Sequence, residues 1–219
     1  MFAGHVGAGL AIGSVERRVN VGVIIFAAVL IDFMLWLFVL FGWESVIIPA
    51  DYTATHQPDF VFPLSHGLLA AIAWSVLAGA AAFLYYQRPE RTRFRLAALI
   101  AAAVFSHWLL DALVHTPELP VAGEGSVKVG LGLWQSMPAA LLVEAIIAAA
   151  GLSLFLSGAG LSRARKTGLT ALCLVVLAST VAGMTVAPPP PSVSAMAVTS
   201  LITIIAVCGL AGWIGRHRA

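Results

Sequence analysis

The segment Phe105-Ser-His-Trp-Leu-Leu-Asp-Ala-Leu-Val-His115 sets His107, Asp111 and His115 at successive four-residue steps. On a helix such steps lie along one face with a slow sideways drift. An imidazole and a carboxylate one turn apart begin a metal site, whereas a packing stripe would carry leucines there. His5, Asp32, His66 and Glu144 also stand inside or at the edge of long apolar runs. Imidazole and carboxylate together suit zinc, iron or manganese, and zinc is the usual ion of hydrolytic sites.

The elements that must carry these residues follow from composition. Of 219 residues, 60% are hydrophobic and only 10% charged, and mean hydropathy is +0.97. Such a chain reads as an all-α membrane protein, with residues 1–219 forming a single integral membrane domain. Apolar runs long enough for a bilayer cover 19–42, 63–86, 96–115, 133–156, 168–187 and 193–214, six expected spans. A short apolar helix over 2–14 precedes them. It lacks a basic n-region, so it does not read as a signal peptide.

Residues 43–62 and 118–132 read as polar loops, and Pro63 suits the first turn of a helix. Spans five and six are joined by the tetrad Pro188–Pro191, a stiff connector that cannot continue either helix. Cys173 and Cys208 lie in apolar runs and read as packing residues, with no disulfide implied.

Charge gives an orientation. Eleven of the twelve Lys and Arg fall in clusters at 17–18, 88–95, 163–166 and 216–218, the last being Arg216-His217-Arg218. Every second link is therefore basic, which places those links and the C-terminus in the cytoplasm. The other links hold Glu44, Asp51, Asp59, Glu118 and Glu124 against Lys128 alone, and face outward. The localisation expected is the bacterial cytoplasmic (inner) membrane. Clusters spaced between hydrophobic runs form no basic stripe, so no nucleic-acid partner is expected.

Depth can be counted from the inner clusters at about 1.5 Å per helical residue, giving roughly 18 Å for His5 and His107 and roughly 21 to 24 Å for Asp32, Glu144 and Asp111. On the same count His66 and His115 lie nearer 30 Å. Acids and histidines thus share the outer, periplasmic half. A charged group near mid-bilayer costs roughly 3 kcal/mol on insertion scales, so three unpaired carboxylates cost roughly 9. With no Lys or Arg inside these spans, protonation, histidinium partners, water or a divalent metal must compensate.

His5, Asp32, His66, His107, Asp111, His115 and Glu144 resemble, in type and order, the ligand series of the zinc-dependent phospholipase C and P1 nuclease superfamily. Ser65-His66 with Leu68-Leu69, the segment from Ser106 to Pro120, Lys128-Val-Gly-Leu-Gly-Leu-Trp134 and the proline tetrad resemble a bacterial family of integral membrane proteins described as metal-dependent hydrolases. This second resemblance covers nearly the whole chain. The resemblance implies one metal held by Asp32, His66, His107 and Asp111, and a second held by His5 and bridged by Asp111. His115 and Glu144 are then candidates for a further site or for supporting positions. The chain departs from the soluble pattern in two ways: Ala140 and Leu141 stand where a histidine precedes the glutamate, and Met1 is an ordinary start where those enzymes ligate through an amino terminus. One or two ions are therefore expected.

The activity expected is hydrolysis of a lipid or lipid-linked ester or phosphodiester at the outer leaflet by a metal-activated water. Asp111 or Glu144 orients that water or acts as general base. Lys128 is placed to hold a substrate phosphate or to snorkel at the interface. His56 reads as a solvated loop residue, Ser65 and Ser106 as capping or packing residues, and Trp43, Trp108 and Trp134 as belt aromatics. The same cluster suits an ion- or proton-coupled transporter, and interhelical hydrogen bonding alone suits a non-catalytic assembly protein.

Overall fold

Polar and apolar side chains have exchanged their usual places. In the computed structural model, which describes residues 1–216, His5, His66, His107, Asp111 and Glu144 are almost completely buried. Leu84, Val76 and Ile202 are meanwhile more than 60% exposed. Lipid in place of water accounts for that inversion, since apolar side chains lose nothing by facing hydrocarbon and polar groups must find partners inside. His217 and Arg218 of the C-terminal basic cluster lie outside the described residues.

The chain opens with the short apolar helix α1 (Phe2–Val15), followed by α2 (Val21–Ala28) and α3 (Leu30–Phe41). A hairpin of β1 (Ser45–Ile47) and β2 (Asp59–Val61) encloses the single turn α4 (Tyr52–Thr55). Helices α5 (Leu68–Tyr85) and α6 (Glu90–Val114) come next. They lead to a small hairpin of β3 (Leu119–Pro120) and β4 (Lys128–Val129), a 3-10 turn over Leu133–Gln135, and α7 (Met137–Ser157), α8 (Arg163–Thr185) and α9 (Val193–Ile214). Among the described residues, α5 to α9 are each long and apolar enough to cross a membrane, and α2 with α3 makes a sixth span if counted together. The protein is thus an all-α membrane protein with a short N-terminal helix beside its spans.

Several boundaries differ from the expected ones for local reasons. The run 19–42 is not one straight helix: α2 and α3 are bent by 58° at Val29, whose φ of −111° and ψ of 12° leave the helical region. No proline or glycine sits at the bend. A side chain instead takes a carbonyl out of the helical ladder, a recognised cause of kinks. Pro63 does not begin α5 either; residues 63–66 form a turn and the helix starts at Leu68, so His66 is presented from a turn. The regions 43–62 and 118–132, expected as loops, each contain a β-hairpin.

Arginines gather at one end of the bundle because helix C-termini leave carbonyls without intrahelical partners. The Arg17 guanidinium donates to the Phe155 carbonyl, Arg95 to that of Val15, and Arg165 to those of Ile214 and Arg216. Both hairpins lie at the opposite end, where α3 and α6 finish. Helix α1 packs most extensively on α7, and glycine allows it: a Cβ on Gly7 would sit 2.6 Å from Ala148 Cα, and one on Gly151 would overlap the Gly7 carbonyl. The bent α2–α3 pair lies between two apolar clusters. One joins α1, α8 and α9 through residues such as Leu10, Ile25, Leu169 and Ile204, and the other joins α5 and α6 through Ile31, Ala71, Leu96 and Val104.

Candidate metal centre

Helix α6 supplies two residues one turn apart, with His107 Nε2 3.0 Å from Asp111 Oδ2. Three other elements bring their side chains to the same point. Asp32, in the first turn of α3, places Oδ1 3.6 Å from His107 Nε2 and 3.5 Å from His66 Nε2. His66 Nε2 lies 3.4 Å from both Asp111 Oδ2 and His107 Nε2. From α1, His5 Nε2 is 3.1 Å from Asp111 Oδ1, and its ring stacks on that of His107 at 3.7 Å. Two overlapping groups result, His5 with Asp32 and His107, and His66 with His107 and Asp111. Within each, the ligand atoms lie no more than 4.8 Å apart.

The far sides of the rings decide what these atoms can do. His107 Nδ1 lies 2.8 Å from the Ala28 carbonyl, which only accepts, so Nδ1 carries a proton and, in the neutral ring, Nε2 presents a lone pair. His66 Nδ1 lies 2.8 Å from Ser65 Oγ, whose own hydrogen goes to Glu44 Oε2 at 2.7 Å. Ser65 is thereby left to accept from His66 Nδ1. Both Nε2 atoms then face carboxylate oxygens at 3.0 to 3.6 Å. Nitrogens and carboxylate oxygens crowded in this way need a proton or a metal cation between them. Ligand atoms around a tetrahedral ion with bonds of about 2.0 to 2.1 Å stand about 3.3 Å apart, so the residues present fit a divalent metal.

Glu44 and Ser65 are parts of this arrangement that sequence reasoning assigned elsewhere, to a loop and to packing. Glu44 is only 5% exposed, and it accepts the backbone N–H groups of Leu64 and Ser65 at 2.7 and 2.8 Å. Burial pushes its carboxyl up from the ordinary value, while hydrogen bonds from Ser65 and Leu64 oppose that shift. Only the hairpin, which folds residue 44 against residue 65, makes the connection visible.

The remaining expected residues lie around the centre. Glu144 is buried, accepts the Gly4 N–H at 3.2 Å and belongs to neither metal-capable group. His115, considered above as a ligand, is also in neither; it caps α6, with Nδ1 2.5 Å from Glu118 Oε1 and its ring against Trp134. Lys128 is paired with Glu124 at 2.7 Å and does not line the cavity described next. His56 differs from its expected solvated state: it is buried, with Nδ1 3.0 Å from the Tyr52 carbonyl.

A cavity of about 350 Å³ opens onto the cluster. Asp32, His66, Asp111 and Glu144 line it, as do the rings of Tyr52 and Trp134. Its far wall comes from α8 and α9 and includes Thr199 and Thr203, which are also exposed on the flank of the bundle. The cavity therefore reaches the side of the helices as well as the cluster. Comparison with known proteins finds no matching family model, no significantly similar curated protein and no significantly similar solved structure.

Proposed function

We propose that the chain is a membrane-embedded, metal-dependent hydrolase acting on a lipid or lipid-linked ester or phosphodiester. The observation that carries this reading is the convergence of His66 Nε2 and His107 Nε2 on Asp32 and Asp111, with both Nδ1 atoms already engaged behind. His66, His107, Asp111 and Asp32 would hold one ion, His5 a second through Asp111, and the donor set favours zinc. Such an ion supplies Lewis acidity and an activated water.

The chain's own residues divide the remaining work. Asp111 faces three imidazoles and is fully used as a ligand. Glu144 lines the cavity outside both groups, so it takes the role of general base toward water in that cavity. Thr199 and Thr203, exposed on the flank of α9 and lining the cavity, mark a sideways entrance suited to a substrate whose tails stay in the bilayer. The positive-inside rule, applied to the basic residues at the opposite end, supports a position for the cluster in the outer half of a cytoplasmic membrane.

Lipid profiling of cells carrying His107→Ala, with cleavage assayed on the purified protein, tests this reading. Accumulation of one lipid class that the wild-type protein cleaves is expected, and an unchanged lipid profile together with no cleavage contradicts it.

A second reading, an ion- or proton-coupled transporter, draws on one observation. The helix carrying Asp32 is broken at Val29 beside the cluster, and transporters bind ions at discontinuous helices. Ion flux in proteoliposomes, abolished by Asp32→Asn without any lipid cleavage by the parent, would favour it.

A further inference from the structure

We propose that Glu44 and Ser65 are positioning residues that set the tautomer of His66 and so hold it as a metal donor, an inference that rests on the hydrolase reading above. The three groups form a directed chain. Glu44 Oε2 accepts from Ser65 Oγ at 2.7 Å, and Ser65 Oγ lies 2.8 Å from His66 Nδ1. Because a carboxylate only accepts, the Ser65 hydrogen must point to Glu44, and His66 must then place its own hydrogen on Nδ1. Nε2 is left bare, 3.5 Å from Asp32 Oδ1 and 3.4 Å from Asp111 Oδ2. A metal-ligating histidine whose far nitrogen is fixed by an outer acceptor is both oriented and made a better donor.

The chain is anchored at its outer end. Glu44 Oε1 takes two backbone N–H groups of the 63–66 turn, so the carboxylate cannot swing away without unmaking the turn that presents His66. Ser65 is completely buried and His66 nearly so, which leaves water no part in the relay. The Phe62 ring packs perpendicular to His66 at 4.8 Å and restricts rotation of the imidazole.

Two substitutions separate tautomer control from folding. Glu44→Gln keeps an oxygen for the backbone N–H groups but offers Ser65 an amide donor, which reverses the chain and moves the His66 proton to Nε2. Ser65→Ala deletes one oxygen and leaves both backbone bonds to Glu44 in place. Zinc affinity of the full-length protein in detergent, measured by chelator competition, is expected to fall by about 10- to 100-fold in each variant. Metal-free Ser65→Ala is expected to unfold cooperatively, with a midpoint lowered modestly by the two buried groups left unpaired. Imidazole ¹⁵N resonances of the metal-free protein are expected to show Nδ1–H at His66 in the wild type and Nε2–H in Glu44→Gln. Wild-type zinc affinity in both variants, or an unchanged His66 tautomer in Glu44→Gln, overturns the proposal. A wild-type protein that takes up no zinc overturns the hydrolase reading instead, and the tautomer measurement still decides the relay.

Discussion

His107 Nδ1 lies 2.8 Å from the carbonyl oxygen of Ala28, the last residue of α2. Backbone hydrogen bonds across the break at Val29 run to Ile25, Phe26 and Val29, so the Ala28 carbonyl serves the side chain instead. One feature thus does two things. It bends the helix that carries Asp32, and it fixes the nitrogen of His107 that faces the cluster. Position 28 is a small alanine packed without exposure, and the imidazole reaches its backbone there.

The packing of α1 on α7 delivers His5, and glycine at the crossing permits the approach. Gly151→Val places methyl groups where the Gly7 carbonyl now lies. Overpacking of this kind costs about 1 to 3 kcal/mol. A lower unfolding temperature in detergent, together with weaker binding of a second metal equivalent, is the expected result.

His115 is paired with Glu118 and sits in neither metal-capable group. His115→Ala is therefore expected to leave the metal content per chain unchanged, as elemental analysis of the purified variant will read. A loss of metal would return His115 to the ligand set.

Much of the fold is legible in the sequence because lipid imposes long apolar runs and arginine clusters at alternate links. The stretch 193–214 matches α9 to the residue, and the short helix over 2–14 extends by one residue as α1. His5 and Asp32 are nearly equidistant from the Arg17-Arg18 turn, which is why a count of helical rise puts them at one level, and they do share a group with His107. The break at Val29 left no such trace, because it depends on a histidine 79 residues from Ala28 in the chain rather than on a local proline or glycine. Glu44 was equally silent, since its partner Ser65 is reached only through the β1–β2 hairpin. Hairpins this short carry too few residues to show a period of two.

Lys128 and Glu124 form a part-exposed ion pair on the β3–β4 hairpin. Exposed pairs contribute about 0 to 1 kcal/mol. Lys128→Ala is expected to unfold at nearly the wild-type temperature and to keep its metal. A loss of turnover confined to anionic substrates would show that Lys128 leaves Glu124 to hold them.

Metal bound to the folded protein alone stabilises it by about 2.7 kcal/mol at a hundredfold excess over the dissociation constant. Chelation is accordingly expected to lower the unfolding temperature of the wild-type protein and to leave that of His107→Ala unmoved. Protons compete for the same imidazole nitrogens, so affinity falls as pH is lowered. Unfolding curves recorded with and without chelator at several pH values will test both statements.

Elemental analysis of the detergent-purified protein beside Asp111→Asn tests the central claim most directly. Asp111 contacts His5, His66 and His107, and the substitution removes its charge with little change of shape. At least one divalent metal per wild-type chain, and a clear loss in Asp111→Asn, is the predicted result. Metal-free wild-type protein after purification in zinc, or equal metal in the two proteins, would contradict the account.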